Sequence, residues 1–156
     1  FLSNKKMPVI GWSSTKEMFD LDNHSTEGRK EASALECGTI PLPQINAIHA
    51  GIEVVEEVGI DAISRRIIEL ADLMVIKLKD VSQLNLISSR GADHEKTGTL
   101  LYELENCEAL VEYLKSHNVT VSNRNGRLRI SIHYFNSEAD LETASRAIKE
   151  FFTGSH

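Results

Sequence analysis

Asn125-Gly126 is the feature that most narrows what this 156-residue chain can fold into. Both residues tolerate the positive φ of a tight two-residue turn, so the pair ties 119–124 to 127–133 as the arms of a β-hairpin. In the second arm Leu128, Ile130 and Ile132 alternate with Arg129, Ser131 and His133. Successive strand side chains point to opposite faces, so one face is apolar and the other carries a guanidinium, a hydroxyl and an imidazole. The apolar face calls for a layer of helices. The polar face is either wet or lines a site.

The rest of the chain supplies that layer. Residues 44–58 place Ile45, Ile48, Ile52 and Val55 on one helical face, and Gly59 is a natural stop. Residues 61–79 repeat the pattern with Ile63, Ile67, Leu70, Ala71, Met74 and Leu78. Residues 84–88 and 97–104 read as strands around a polar, Gly-containing loop, and Asn106 is placed to cap a helix over 107–117. Ser137 with Asp140 three residues on makes a capping-box start for a last helix whose apolar face is Leu141, Ala144, Ile148 and Phe151. Before all of these, residues 1–33 hold Pro8, Gly11-Trp12 and a polar run over 20–30 without sustained periodicity, the pattern of an irregular arm. The predicted fold is therefore α/β of the α+β kind: an N-terminal irregular arm, two helices, then a small, mostly antiparallel sheet covered by helices on one face and open on the other. Arg129 points to the open side.

Composition removes several classes of function. With 41% hydrophobic residues the chain can bury one sizeable core. A formal charge of −6 and a pI near 5.5 argue against a nucleic-acid footprint, which needs clustered Lys and Arg. No uninterrupted apolar run is long enough to span a bilayer, and no stretch has the pattern of a secretory leader. Cys37 and Cys107 form neither a CxxC pair nor a disulfide framework, so a reducing compartment, the cytoplasm, is the simplest reading. The histidines are scattered without ligand spacing, and no metal site is expected.

Two stretches carry a resemblance. The run Arg127-Leu128-Arg129-Ile130-Ser131-Ile132-His133-Tyr134-Phe135-Asn136, followed by Ser137-Glu138-Ala139-Asp140-Leu141, resembles the C-terminal signature of class V aminotransferase-like enzymes of fold type I. That group binds pyridoxal phosphate and includes cysteine desulfurases, C–S lyases, isopenicillin N epimerase-like proteins and kynureninase. Leu35-Glu36-Cys37-Gly38-Thr39-Ile40-Pro41 resembles the family's Phe-Glu-x-Gly-Thr element. The resemblance implies that Arg129 grips the α-carboxylate of an amino-acid substrate. It also implies that Thr39, with Gly38, reaches the cofactor phosphate of the neighbouring subunit in a homodimer. Arg124, flanking the turn, is a further candidate for a substrate's distal group.

The same resemblance says what is missing. In such enzymes a lysine holds the cofactor aldehyde as a Schiff base, usually behind a histidine and before a glycine-rich stretch and a strand. No lysine of this sequence stands in that setting; Lys5 and Lys6 follow Phe1-Leu2, which resembles the tail of that strand. The expectation is a C-terminal half, with 1–33 connecting from an N-terminal large domain and 34–156 forming the small domain, and with no catalytic residue of its own. Cysteine desulfurases carry a nucleophilic cysteine shortly before the carboxylate-binding arginine, and 119–126 contains none, so a persulfide route is disfavoured. Aminotransferase, epimerase-like and C–S lyase chemistry remain. The competing reading is a stand-alone binding module that uses the open sheet face for a partner or small ligand.

Overall fold

The structure is a computed structural model that describes residues 9–20, 22, 24–30 and 32–154. Lys5, Lys6 and the Phe1-Leu2 pair lie outside those residues. The chain divides into two compact units, Phe1–Val54 and Val55–His156, and the division falls inside the first α-helix.

Among the described residues before that helix there is no α-helix and no strand ladder, as the missing periodicity predicts. Two short 3-10 turns, Trp12–Ser14 and Ala32–Leu35, and one bridge between Thr15 and Gly28 organise the arm. Ser14 is its buried centre: the hydroxyl donates to the Gly11 carbonyl (2.9 Å) and accepts from the Gly11 N–H (3.0 Å), while its carbonyl accepts from the Arg29 N–H (2.9 Å).

Helix α1 spans Leu42–Val58, two residues earlier than its apolar pattern begins. Pro43 falls in the first turn, where a missing N–H costs nothing, and the Pro41 carbonyl accepts from Gln44 and Ile45. None of its residues is buried; Ile45, Ile48 and Ile52 keep 46–63% of their surface exposed. Gly59 then turns the chain with φ 87°, a conformation that favours glycine, and α2 runs Ile60–Leu78.

In the second unit the expected order holds. Strand β1 is Asn85–Leu86, β2 is Thr99–Glu103, helix α3 is Cys107–Ser116, β3 is Ser122–Arg124, β4 is Arg127–Ser131 and α4 is Glu138–Thr153. The four strands form one antiparallel sheet in the order β1-β2-β4-β3. All the strands are shorter than the sequence suggests. β1 keeps two residues, beyond which the Ile87 N–H still donates to the Leu101 carbonyl (2.8 Å) and the Ser88 hydroxyl takes the place of a backbone acceptor for the Leu101 N–H (2.8 Å); 119–121 lie outside the β3–β4 ladder.

Leu100, Tyr102, Leu128 and Ile130 project from one face of the sheet into a core closed by Leu70, Met74 and Leu78 of α2, Leu110 and Leu114 of α3, and Leu141 and Ile148 of α4. Leu100, Leu110, Leu114, Leu128 and Ile148 are fully buried. Such side chains each contribute about 1.5–3 kcal/mol by leaving water, which is why the apolar period predicts these positions well. Gly98 enters β2 so close to the Ile132 carbonyl and the Ile67 side chain that no Cβ would fit, and its own carbonyl accepts from the Ile132 N–H (2.8 Å).

The starts of α3 and α4 test the cap expectations. Ser137 and Asp140 form the reciprocal box: the Ser137 hydroxyl accepts from the Asp140 N–H (3.2 Å), and the Asp140 carboxylate from the Ser137 N–H (2.8 Å). Asn106 does not cap α3 with its side chain. It sits before the helix in the left-handed region (φ 56°), and only its carbonyl joins the helix, accepting from the Leu110 N–H. Asparagine serves at this position for its tolerance of positive φ rather than for its amide.

Candidate functional site

The hairpin is built as its dipeptide dictates. Asn125 and Gly126 take φ 53° and 81°, and the Asn123 side-chain carbonyl accepts from the Gly126 N–H (2.8 Å), pinning the turn. Register then fixes the faces. Leu128 opposes Tyr102 and Ile130 opposes Leu100 on the core side, so Arg129, which opposes Leu101 on β2 and Ser122 on β3, stands on the other side. Among the described residues of this unit, nothing neutralises its guanidinium: its Nε is buried without any hydrogen-bond partner, and it takes part in no ion pair. An unmade hydrogen bond to a buried charged donor is costly.

Arg124 shares this face, because it is two residues from Ser122 on β3. It lies opposite Arg127, whose guanidinium is 3.7 Å from the Glu103 carboxylate in an exposed pair. Arg124 is exposed and has no acidic partner among the described residues. Glu103 and Ser122 were not legible as parts of this surface, since only cross-strand register brings them beside the arginines.

Ser131 and His133 behave differently from each other. Ser131 ends β4 on the Arg129 side, whereas His133 lies past the end of the strand and stacks on Phe135 (ring centroids 4.5 Å apart). The strand that would have put the imidazole on that face stops two residues short of it. A cleft of about 370 Å³ opens between the end of β4 and α4, lined by Thr120, Ile130, Ser131, Asn136, Asp140 and Leu141 among others. Arg129 is absent from its lining.

In the first unit, Gly38 and Thr39 form a bend between the Ala32–Leu35 turn and α1. Their N–H groups and the Thr39 hydroxyl have no acceptor among the described residues, and Thr39 is exposed. The bend is held from below. A side chain at Gly11 would run into the Cys37 carbonyl, the Cys37 thiol reaches the Val9 carbonyl (3.6 Å), and the Trp12 indole nitrogen lies 3.9 Å from where a Cβ on Gly38 would stand. Trp12 thus backs the Gly-Thr bend while keeping 49% of its surface exposed.

Neither thiol has the surroundings of a nucleophile. Burial first, and the Glu108 carboxylate second, push the Cys107 thiol up, and Cys37 is half-buried in the arm rather than in the hairpin. Tyr102 is a buried phenol with an unpartnered hydroxyl; desolvation raises it to about 12 against the pull of the Arg90 charge, so it stays neutral. Among the described residues no group of histidine, cysteine and acidic side chains could hold a metal ion, and no helix is long and apolar enough to cross a membrane.

A small antiparallel sheet with helices on one face is a fold shared with part of larger known enzymes. The chain superposes on a cysteine desulfurase from Thermococcus onnurineus NA1 with a TM-score of 0.78 at 20% identity, covering 94% of this chain and 39% of that one. It superposes on the cystine C–S lyase C-DES, in complex with its product cysteine persulfide, with a TM-score of 0.72 at 15% identity, covering 89% and 37%. It also superposes on the aminotransferase TlmJ from Streptoalloteichus hindustanus with a TM-score of 0.53 at 15% identity, covering 62% and 33%. The chain therefore spans about two fifths of the length of the first two. None of the curated proteins matches it in sequence. The class V aminotransferase family model matches residues 3–143, and the chain belongs to that family.

Proposed function

We propose that this chain is the C-terminal part of a pyridoxal phosphate-dependent enzyme acting on an amino acid, and that Arg129 holds the substrate's α-carboxylate. The observation that carries the reading is the buried, unpartnered Nε of Arg129 on the uncovered face of the sheet. A guanidinium offers a planar fork of donors that matches a carboxylate bidentately, which a lysine cannot copy. Gripped so, an amino acid has its Cα substituents fixed in orientation. The face that carries Arg129 is then where an N-terminal large domain packs, with residues 34–156 as the small domain and 1–33 as the connection to it.

The residues of the Gly38–Thr39 bend fit a phosphate. Two N–H groups and a hydroxyl without partners among the described residues lie on this turn, the kind of donor set from which a phosphate dianion accepts. Thr39 would serve the neighbouring subunit's cofactor across a homodimer boundary. When bound, pyridoxal phosphate supplies the electron sink for a bond broken at Cα. In this reading the chain's part is to bind and orient. The two-residue turn at Asn125-Gly126 leaves no loop for a sulfur-accepting cysteine, which favours transamination, elimination or epimerisation over desulfuration through a persulfide. The two free cysteines fit a cytoplasmic setting.

The test is Arg129→Ala in the full-length enzyme. Amino-acid binding should weaken by about 10–100-fold, the scale of a charge-assisted bidentate contact, while cofactor affinity holds. Equal loss of both would overturn the assignment. Borohydride trapping of the chain with the cofactor adds a check: a single modified lysine would contradict a purely binding and orienting role.

A further inference from the structure

Register places two of the site face's arginines, Arg124 and Arg129, without an anion. Arg127, Arg124 and Arg129 all project from that face, and Glu103 is the only acid on the strands beside them. Glu103 is taken by Arg127. Arg124 is left directly opposite a like charge, an arrangement that destabilises a sheet unless something anionic offsets it. Glu103 offsets Arg127 but, among the described residues, no acid forms an ion pair with Arg124, in a chain whose formal charge is −6.

The geometry is that of a two-point grip. Arg129 opposes Ser122, and Arg124 follows Ser122 by two residues on the same face, so the two arginines are diagonal cross-strand neighbours with Cα atoms roughly 7–8 Å apart. Side chains of that length can close on two acidic groups of one small molecule. Ser122, opposite Arg129, has a hydroxyl with no hydrogen-bond partner among the described residues. The platform is rigid, because the turn that carries Arg124 is closed by two residues of positive φ and pinned by Asn123.

We propose that Arg124 reads a second acidic group on the substrate, so that the enzyme prefers amino acids whose side chain ends in a carboxylate or an equivalent sulfo or phospho anion. The inference rests on Arg129 as the α-carboxylate ligand and adds the substrate class to it. Arg127 is excluded from the role by its pairing with Glu103.

The experiment uses the full-length, cofactor-loaded enzyme and measures dissociation constants calorimetrically for L-aspartate, L-glutamate and L-cysteate against L-asparagine and L-glutamine. The acidic side chains should bind at least about tenfold tighter than the amides, with cysteate separating a sulfo preference from a carboxylate one. Arg124→Gln should bring that ratio to near unity, chiefly by weakening the acidic ligands. Arg127→Gln should leave it in place, and Arg124→Glu should turn the preference toward L-ornithine, which a merely structural role would not do. A ratio near unity in the unmodified enzyme, or one that survives Arg124→Gln, overturns the proposal. Arg129→Ala should weaken acids and amides alike. If it spares both, the α-carboxylate reading itself fails, whatever Arg124 does.

Discussion

Arg129 stands directly across from Ser122 on one side and Leu101 on the other, in the middle of a four-stranded sheet, with its Nε buried and unpartnered. A central strand leaves an arginine little freedom to move out to water. Its direct neighbours on the same face are polar at β3 (Ser122) and apolar at β2 (Leu101).

The turn that fixes this register should be sensitive to a single side chain. Gly126 has φ 81°, and Gly126→Val places a β-branched residue in the left-handed region, at a cost of about 1–2 kcal/mol or more. Chemical denaturation should show the loss, and Gly126→Asn should recover part of it. Equal stability of the two variants would mean the turn relaxes to another type.

Gly98 should be more demanding still. A methyl group there meets the Ile132 carbonyl and the Ile67 side chain, and because Gly98 and Ile132 are hydrogen-bonded, neither can withdraw without opening the start of β2. Gly98→Ala should destabilise by about 1–3 kcal/mol, measured as a fall in the denaturant midpoint at constant slope. An unchanged midpoint would show that this approach is not tight.

The box at the start of α4 gives a pH signature. The Ser137 backbone N–H, then its hydroxyl, lower the Asp140 carboxyl below its usual range. A group depressed on folding contributes stability that is fully present above its ordinary pKa and is lost as pH falls through the lowered folded value. Unfolding curves should therefore steepen in pH dependence below about pH 4, and Asp140→Asn should remove that portion of the slope. Ser137→Ala should cost about 1 kcal/mol at neutral pH. A slope identical in the Asn variant would assign the acid lability to other carboxylates.

These positions also show what a sequence can and cannot convey. The Asn-Gly turn, the Ser137–Asp140 box and the α2 and α4 faces were legible because each is written in residues a few places apart, and local chemistry decides them. Arg129's face was legible for the same reason, since a period of two needs only one buried neighbour to set its sense. The order β1-β2-β4-β3 was not, because pairing β2 with β4 joins segments separated by a whole helix. The tight approach at Gly98, the pairing of Glu103 with Arg127 and the Trp12–Gly38 contact were hidden likewise. Asn106 misled because a capping residue and a left-handed residue share one side chain. At α1 the period predicted the helix but not its surroundings: Ile45, Ile48 and Ile52 remain exposed in this chain.

The central claim is that Arg129 holds a carboxylate, and the most direct measurement compares ligands that differ only in that group. Binding of L-alanine and of ethylamine to the cofactor-loaded, full-length enzyme should be measured for the unmodified protein and for Arg129→Lys. The substitution should weaken L-alanine by about tenfold or more, the loss of a bidentate contact, and leave ethylamine unchanged. If both ligands weaken together, or neither does, Arg129 is not the carboxylate's partner.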